Sequence, residues 1–172
     1  MPRVTTYFSF LKEFGSLGRD EFLRQVDCPY LYLPELPDLS DSHLFTTTEF
    51  KLSDLKVAKN HEGQGIVPVR KAPDSNAFAM MITLGRAPNN DVVIPDGRIS
   101  KFHAYFRRVG ERWMLTDASS TNGTTIDGIR IAPDRSIEVR STATIEMGGS
   151  VRALFLKPAD LFAQMQADRV LQ

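Results

Sequence analysis

Read for the alternation of apolar and polar positions, the chain changes character near Ile66. Before it, apolar residues recur at helical spacing. Thr5 or Thr6 can cap a run that ends at Phe14, with Gly15 as a stop. A second run from Arg19 to Val26 places Phe22, Leu23 and Val26 on one face. Residues 29–41 hold Pro29, Pro34 and Pro37, which favour extended or turning backbone over helix. From Ser42 to Gly65 the pattern is ambiguous: Leu52, Leu55 and Val57 suit a short helix or an edge strand equally. From Ile66 onward, short β-type runs follow one another: IVPVRK, FAMMITLG, DVVI, HAYFRRV, RWMLTDA, GTTI, IRI, SIEV, ATIEM and VRALFL. Turn chemistry separates them, and Asp127-Gly128 and Gly148-Gly149 read as two-residue hairpin loops. About ten short strands joined by tight turns predict an all-β sandwich or barrel. The last sixteen residues return to helical character. Pro158 and Asp160 suit a first turn, and Leu161, Phe162, Met165 and Val170 form one apolar face for docking on the sandwich.

Composition narrows the function more than the fold. The 172 residues carry 21 Lys/Arg against 21 Asp/Glu, without the basic excess of a dedicated nucleic-acid binder. Residues 79–156 are mildly basic, with ten cations and eight anions, so a local anion site is compatible with a neutral whole. A single cysteine, Cys28, excludes an internal disulfide framework, and three histidines leave no zinc-spaced cluster. Lys12 and Glu13 interrupt the first apolar run short of a signal peptide, and no stretch approaches the ~18 apolar residues of a membrane span. The expected compartment is therefore the cytoplasm, without nucleic acid or membrane as partner.

Three segments join reactive groups to turn geometry at strand ends. They are Gly85-Arg86 after MMITL, Arg98-Ile-Ser-Lys-Phe-His103 before AYFRRV, and Thr121-Asn122-Gly123 after WMLTDASS. In this order and spacing they resemble the forkhead-associated (FHA) domain, a phosphothreonine-peptide recognition module, through its GR, SxxH and NG signatures. The resemblance covers residues 66–156, and LGRAPNNDVVIPDGRISKFHAYF and WMLTDASSTNGTTIDGIRI carry it. It implies an FHA-type β-sandwich of about ten or eleven strands with a partly helical N-terminal extension and a C-terminal helix. Residues 1–60 are assigned to the extension, 61–78 to a linker and first strand, 66–156 to the FHA domain and 157–172 to the helix.

The chemistry of the residues agrees with that resemblance. A phosphothreonine brings nearly two negative charges and strong acceptor oxygens. Arg86 offers a planar fork for two of them. Ser100 and Thr121 offer hydroxyls, the Lys101 N–H adds a donor, and the Asn122 amide suits a peptide backbone. The resemblance implies these roles, with Gly85, His103 and Gly123 supporting the loops. Lys101 departs from the arginine frequent at that place, keeping charge but losing the fork. Arg98 and Lys101 suggest tolerance of acidic neighbours on the ligand. Asp117 is expected to order the turn before Asn122.

Ser100, His103 and Asp117 have the chemistry of a hydrolase triad. They lack a nucleophile elbow, however, and the serine and histidine lie on one turn entering a strand. Gly63-Gln64-Gly65 begins a dinucleotide fingerprint without its third glycine or helix. Arg107, Arg108, Arg112 and Arg140 are expected to be solvated rather than a nucleic-acid stripe. The expected function is non-catalytic, cofactor-free recognition of phosphothreonine downstream of a Ser/Thr kinase. Two alternatives stay open: a phosphate-independent scaffold on the same fold, and self-binding after phosphorylation of Thr46, Thr47 or Thr48.

Overall fold

A computed structural model of the chain describes residues 4–36, 63–73 and 75–170. It is a β-sandwich flanked by three helices. In chain order the elements are β1 (Thr5–Thr6), α1 (Tyr7–Phe14), α2 (Arg19–Gln25), β2 (Tyr30–Leu33), β3 (Gly65–Pro68), β4 (Ile82–Gly85), β5 (Val92–Val93) and β6 (Ala104–Val109). They continue with β7 (Arg112–Asp117), β8 (Thr124–Ile126), β9 (Ile129–Arg130), β10 (Ser136–Val139), β11 (Thr144–Met147), β12 (Val151–Leu156) and α3 (Pro158–Val170). One sheet runs β1-β3-β2-β12-β11-β8-β9 and the other β10-β7-β6-β4-β5. Among the described residues, no helix is long and apolar enough to cross a membrane.

The helical starts follow their local chemistry. The Thr6 side chain accepts the Ser9 N–H (3.2 Å), capping α1, and Gly15 closes it by donating its N–H to Leu11 O (2.8 Å). Each of the ten β-type runs contains a strand, although FAMMITLG is strand only from Ile82. Its first half is a turn in which the Met81 N–H bonds Phe78 O (3.1 Å) and Met80 lies open to solvent. Asp127-Gly128 forms the expected two-residue hairpin, both at positive φ, between the paired Ile126 and Ile129. The Gly148-Gly149 loop is longer by one residue, because Met147 pairs with Val151 and Ser150 joins the turn.

The part of the chain before Ile66 contributes two strands, β1 and β2, to the sheet itself. β1 pairs with β3, and β2 lies between β3 and β12, in register Leu31↔Val67 and Leu31↔Phe155. All four β2 residues are buried because both faces are covered. Leu31 and Leu33 point into the main core between the sheets, with Leu84, Phe106, Trp113 and Phe155. Tyr30 and Tyr32 point the other way, into a second core with Tyr7, Phe10, Phe22, Leu161 and Met165. The three helices thus roof the outer face of the seven-stranded sheet, and burying that apolar surface holds them there. Tyr7 donates its hydroxyl to Asp168 (2.9 Å), tying α1 to α3. Thr46, Thr47 and Thr48 and the ambiguous stretch around Leu52–Val57 lie outside the described residues.

Candidate functional site

The predicted residues collect on the loops at one end of the sandwich, and backbone bonds bring them together. β4 ends at Gly85, where a Cβ would collide with the Lys101 carbonyl and crowd the Asn90 amide, so only glycine lets the two loops close. Immediately after it, the Arg86 N–H donates to Ser100 O (3.0 Å) and the Ala87 N–H to Lys101 O (3.2 Å). Asn90, itself buried, donates its amide to the same Lys101 carbonyl (2.6 Å). The GR segment is therefore stitched to the SxxH turn. The Arg86 side chain is half-buried and makes no hydrogen bond or ion pair with the described residues. The exposed Lys101 N–H likewise has no acceptor among them.

Ser100 joins the next segment. Its hydroxyl accepts the Thr121 N–H (3.0 Å) and lies 3.4 Å from the Thr121 hydroxyl. Asn122 donates its amide to Arg98 O (2.9 Å), which fixes that side chain against the same turn. Gly123 follows at φ +83, and a Cβ there would strike the Arg130 guanidinium. Gly123→Ala should lower stability by about 1–2 kcal/mol, the cost of holding an L residue in left-handed backbone, beyond any displacement of Arg130. Urea unfolding of the two chains measures it.

His103 is fully buried, and its Nδ1 accepts the Ser100 backbone N–H (3.1 Å). Burial lowers its pKa, against opposing effects of Asp117 and Gly123, so the ring is neutral with its proton on Nε2. The imidazole braces the turn through the serine's backbone and does not reach its hydroxyl. Asp117 is also committed. Burial raises its carboxyl, but bonds from the Thr124 hydroxyl (2.6 Å) and the Ser120 hydroxyl (2.7 Å) outweigh that and hold it below the usual range. The Ser120 hydroxyl in turn accepts the Gly123 N–H (3.0 Å), so Asp117 does order the turn around Asn122. Ser100, His103 and Asp117 are neighbours without the bonds of a triad.

Two features lay beyond the sequence reading. Arg98 is held by the buried Asp96, whose carboxylate accepts its Nε (2.8 Å), and it also bonds Ser150 (2.8 Å). It is thus engaged within the fold. Asp96 two residues upstream was the available signal. Arg130, drawn over Gly123 by the β8–β9 hairpin, carried no local signal.

Residues 82–148 match the family model of the FHA domain. The chain is 36% identical over 81 residues to the FHA domain-containing protein PS1 of Arabidopsis thaliana, covering 46% of this chain and 6% of PS1. It is 29% identical over 99 residues to the oxoglutarate dehydrogenase inhibitor of Corynebacterium diphtheriae, covering 55% of this chain and 66% of that protein. In both cases less than two thirds of the relative's length is spanned. The solution structure of the FHA domain of an Arabidopsis thaliana hypothetical protein shares the fold, with a TM-score of 0.50 at 18% identity, over 75% of this chain and 84% of that one.

Proposed function

We propose that the chain is a non-catalytic module that binds phosphothreonine segments of partner proteins, written by an upstream Ser/Thr kinase. One observation carries the reading. A guanidinium without a partner among the described residues, that of Arg86, belongs to a loop bonded to the turn that holds the Ser100 hydroxyl and a Lys101 N–H with no acceptor among them. A phosphate dianion supplies what such donors lack, and hydrogen bonds to a charged group are stronger than neutral ones. Ser100 and Thr121 are already within reach of one another, so a phosphate oxygen replaces a long 3.4 Å contact rather than a good bond. Asn122 keeps its side-chain oxygen for the N–H of a bound peptide. His103, Gly85 and Gly123 shape these loops without touching the ligand. The regulator-type name of the corynebacterial relative supports action through a partner rather than through chemistry.

The test is a titration of the full chain with a phosphothreonine peptide, its phosphoserine twin and its unphosphorylated twin. The unphosphorylated peptide should bind at least about 10-fold more weakly, the loss of one charge-assisted contact. Phosphoserine should lose roughly 1–3 kcal/mol if a dry wall receives the threonine methyl. Equal affinity for the phosphorylated and unphosphorylated peptides would favour the phosphate-independent scaffold instead.

A further inference from the structure

One stretch beside β4 is apolar without a break. Residues 77–82 read Ala-Phe-Ala-Met-Met-Ile, and the first four of them are exposed. Phe78 is 52% exposed and Met80 84%, and the Phe78 ring rests on the partly exposed Phe102, with centroids 6.1 Å apart and planes within 7°. Single exposed apolar residues are ordinary on any surface. A consecutive run of them is not, and it marks a place that something covers.

The turn that carries the run is satisfied from within. The Phe78 N–H donates to the Asn76 side-chain oxygen (3.1 Å), the Ala79 N–H to Ala77 O (3.1 Å) and the Met81 N–H to Phe78 O (3.1 Å). Lys71 donates its ammonium to Met81 O (3.2 Å). Backbone groups bonded in this way need no water, which is the condition for placing a turn in apolar surroundings. Beneath the turn, the Asn76 amide donates to the Thr83 hydroxyl (2.9 Å) and Thr83 to the fully buried Asp91 (3.0 Å), so the tip stands on a fixed base. The charge that the neighbouring loops show to solvent has one sign. Arg86 and Lys101 have no ion-pair partner among the described residues, while the carboxylates of Asp91, Asp96 and Asp117 are buried.

We infer that the turn of residues 77–81 docks on an anionic lipid bilayer, with Phe78 and Met80 entering the interface and the rim cations facing the headgroups. The chain lies on the membrane by this turn and does not span it. Charge complementarity selects the anionic surface, because no exposed carboxylate of these three loops opposes it. Shape selects a bilayer over a protein groove. Four consecutive exposed residues present no single flat face, and a fluid interface accepts them without a matching pocket. The ligand of the phosphate site does not enter the inference. A partner tail and a membrane surface can be held at the same end of the sandwich.

The test is co-sedimentation of the full chain with phosphatidylcholine vesicles, with and without phosphatidylserine. The anionic vesicles should bind about 5–25-fold more tightly than the neutral ones, as expected for two cations near an anionic surface, and raising salt should shrink that ratio. Phe78→Ser combined with Met80→Ser should weaken binding to the anionic vesicles by about 10–100-fold, the loss of two partly inserted apolar side chains, with the thermal melt unchanged. Met80→Ser alone, at the most exposed of these positions, should weaken it by about 3–10-fold and decides the matter if the double variant melts early. Excess phosphothreonine peptide should leave the chain on the vesicles. Its release by the peptide would mean that headgroups merely fill the phosphate site, and overturns the inference. No binding to anionic vesicles, equal binding to neutral ones, or undiminished binding by the variants each overturns it as well. So does a self-association in the absence of vesicles that the serine variants abolish, which would give the turn to a second copy of the chain.

Discussion

Replacing Arg86 by alanine should weaken phosphothreonine-peptide binding by about 10–150-fold, because a charge-assisted hydrogen bond is worth about 1.5–3 kcal/mol. The fold should survive. What Arg86 gives the sandwich is its backbone N–H, bonded to Ser100 O, and alanine keeps that bond. Calorimetric titration beside a thermal melt separates the two contributions. Lysine at 86 should recover only part of the affinity, since it restores the charge and not the two-pronged fork. Wild-type affinity in Arg86→Ala would remove that residue from the site. A collapsed melt would make it structural.

The largest loss of stability is expected at Asp91. Its fully buried carboxylate accepts bonds from Lys71 (2.9 Å), the Ala72 N–H (3.0 Å), the Ser75 hydroxyl, and the Thr83 N–H (2.8 Å) and hydroxyl (3.0 Å). Asp91→Ala leaves those donors without their acceptor and should cost about 2–4 kcal/mol in urea unfolding. The same network predicts how the wild type responds to acid. Burial raises the Asp91 carboxyl, but the bonds from Ser75, Thr83, Ala72 and Lys71 outweigh it and bring the pKa down to about 2 from 3.8. A depressed carboxyl stabilises the fold above its unfolded value, and that stability is lost as pH falls through the folded one. About 2 kcal/mol should therefore disappear between roughly pH 4 and pH 2. Asp91→Asn should flatten this part of the profile, and an unchanged acid limb would show that other carboxylates set it.

The strands after Ile66 were legible because each one is bounded by turn residues and pairs mostly with a close neighbour in sequence. Residues 30–33 were not, although the prolines around them did exclude a helix. Tyr-Leu-Tyr-Leu shows no alternation of apolar and polar positions, since one face meets the sandwich core and the other meets the helices. Its partners, Val67 and Phe155, lie far along the chain, beyond any local pattern. FAMM has the apolar content of a strand and lies in a turn, because Asn76 and the Phe78–Met81 bond capture its backbone first. The loop cluster was legible where reactive groups lie at short spacings, as in GR, SxxH and NG. It was illegible where the β8–β9 hairpin folds Arg130 back over Gly123, or where a buried aspartate already occupies Arg98.

The pairing of β2 with β3 has a topological consequence. The two strands are antiparallel neighbours, and the chain between them departs at Leu36 and returns at Gly63, where the Leu36 N–H donates to Gly63 O (2.6 Å). Exit and re-entry are one hydrogen bond apart. The hairpin that β2 and β3 form is thus closed at its base by its own backbone. Closing such a loop costs only as the logarithm of its length. A connection of any length therefore closes this strand pair at little added cost. Whatever it carries stays leashed at both ends to one point on the sheet.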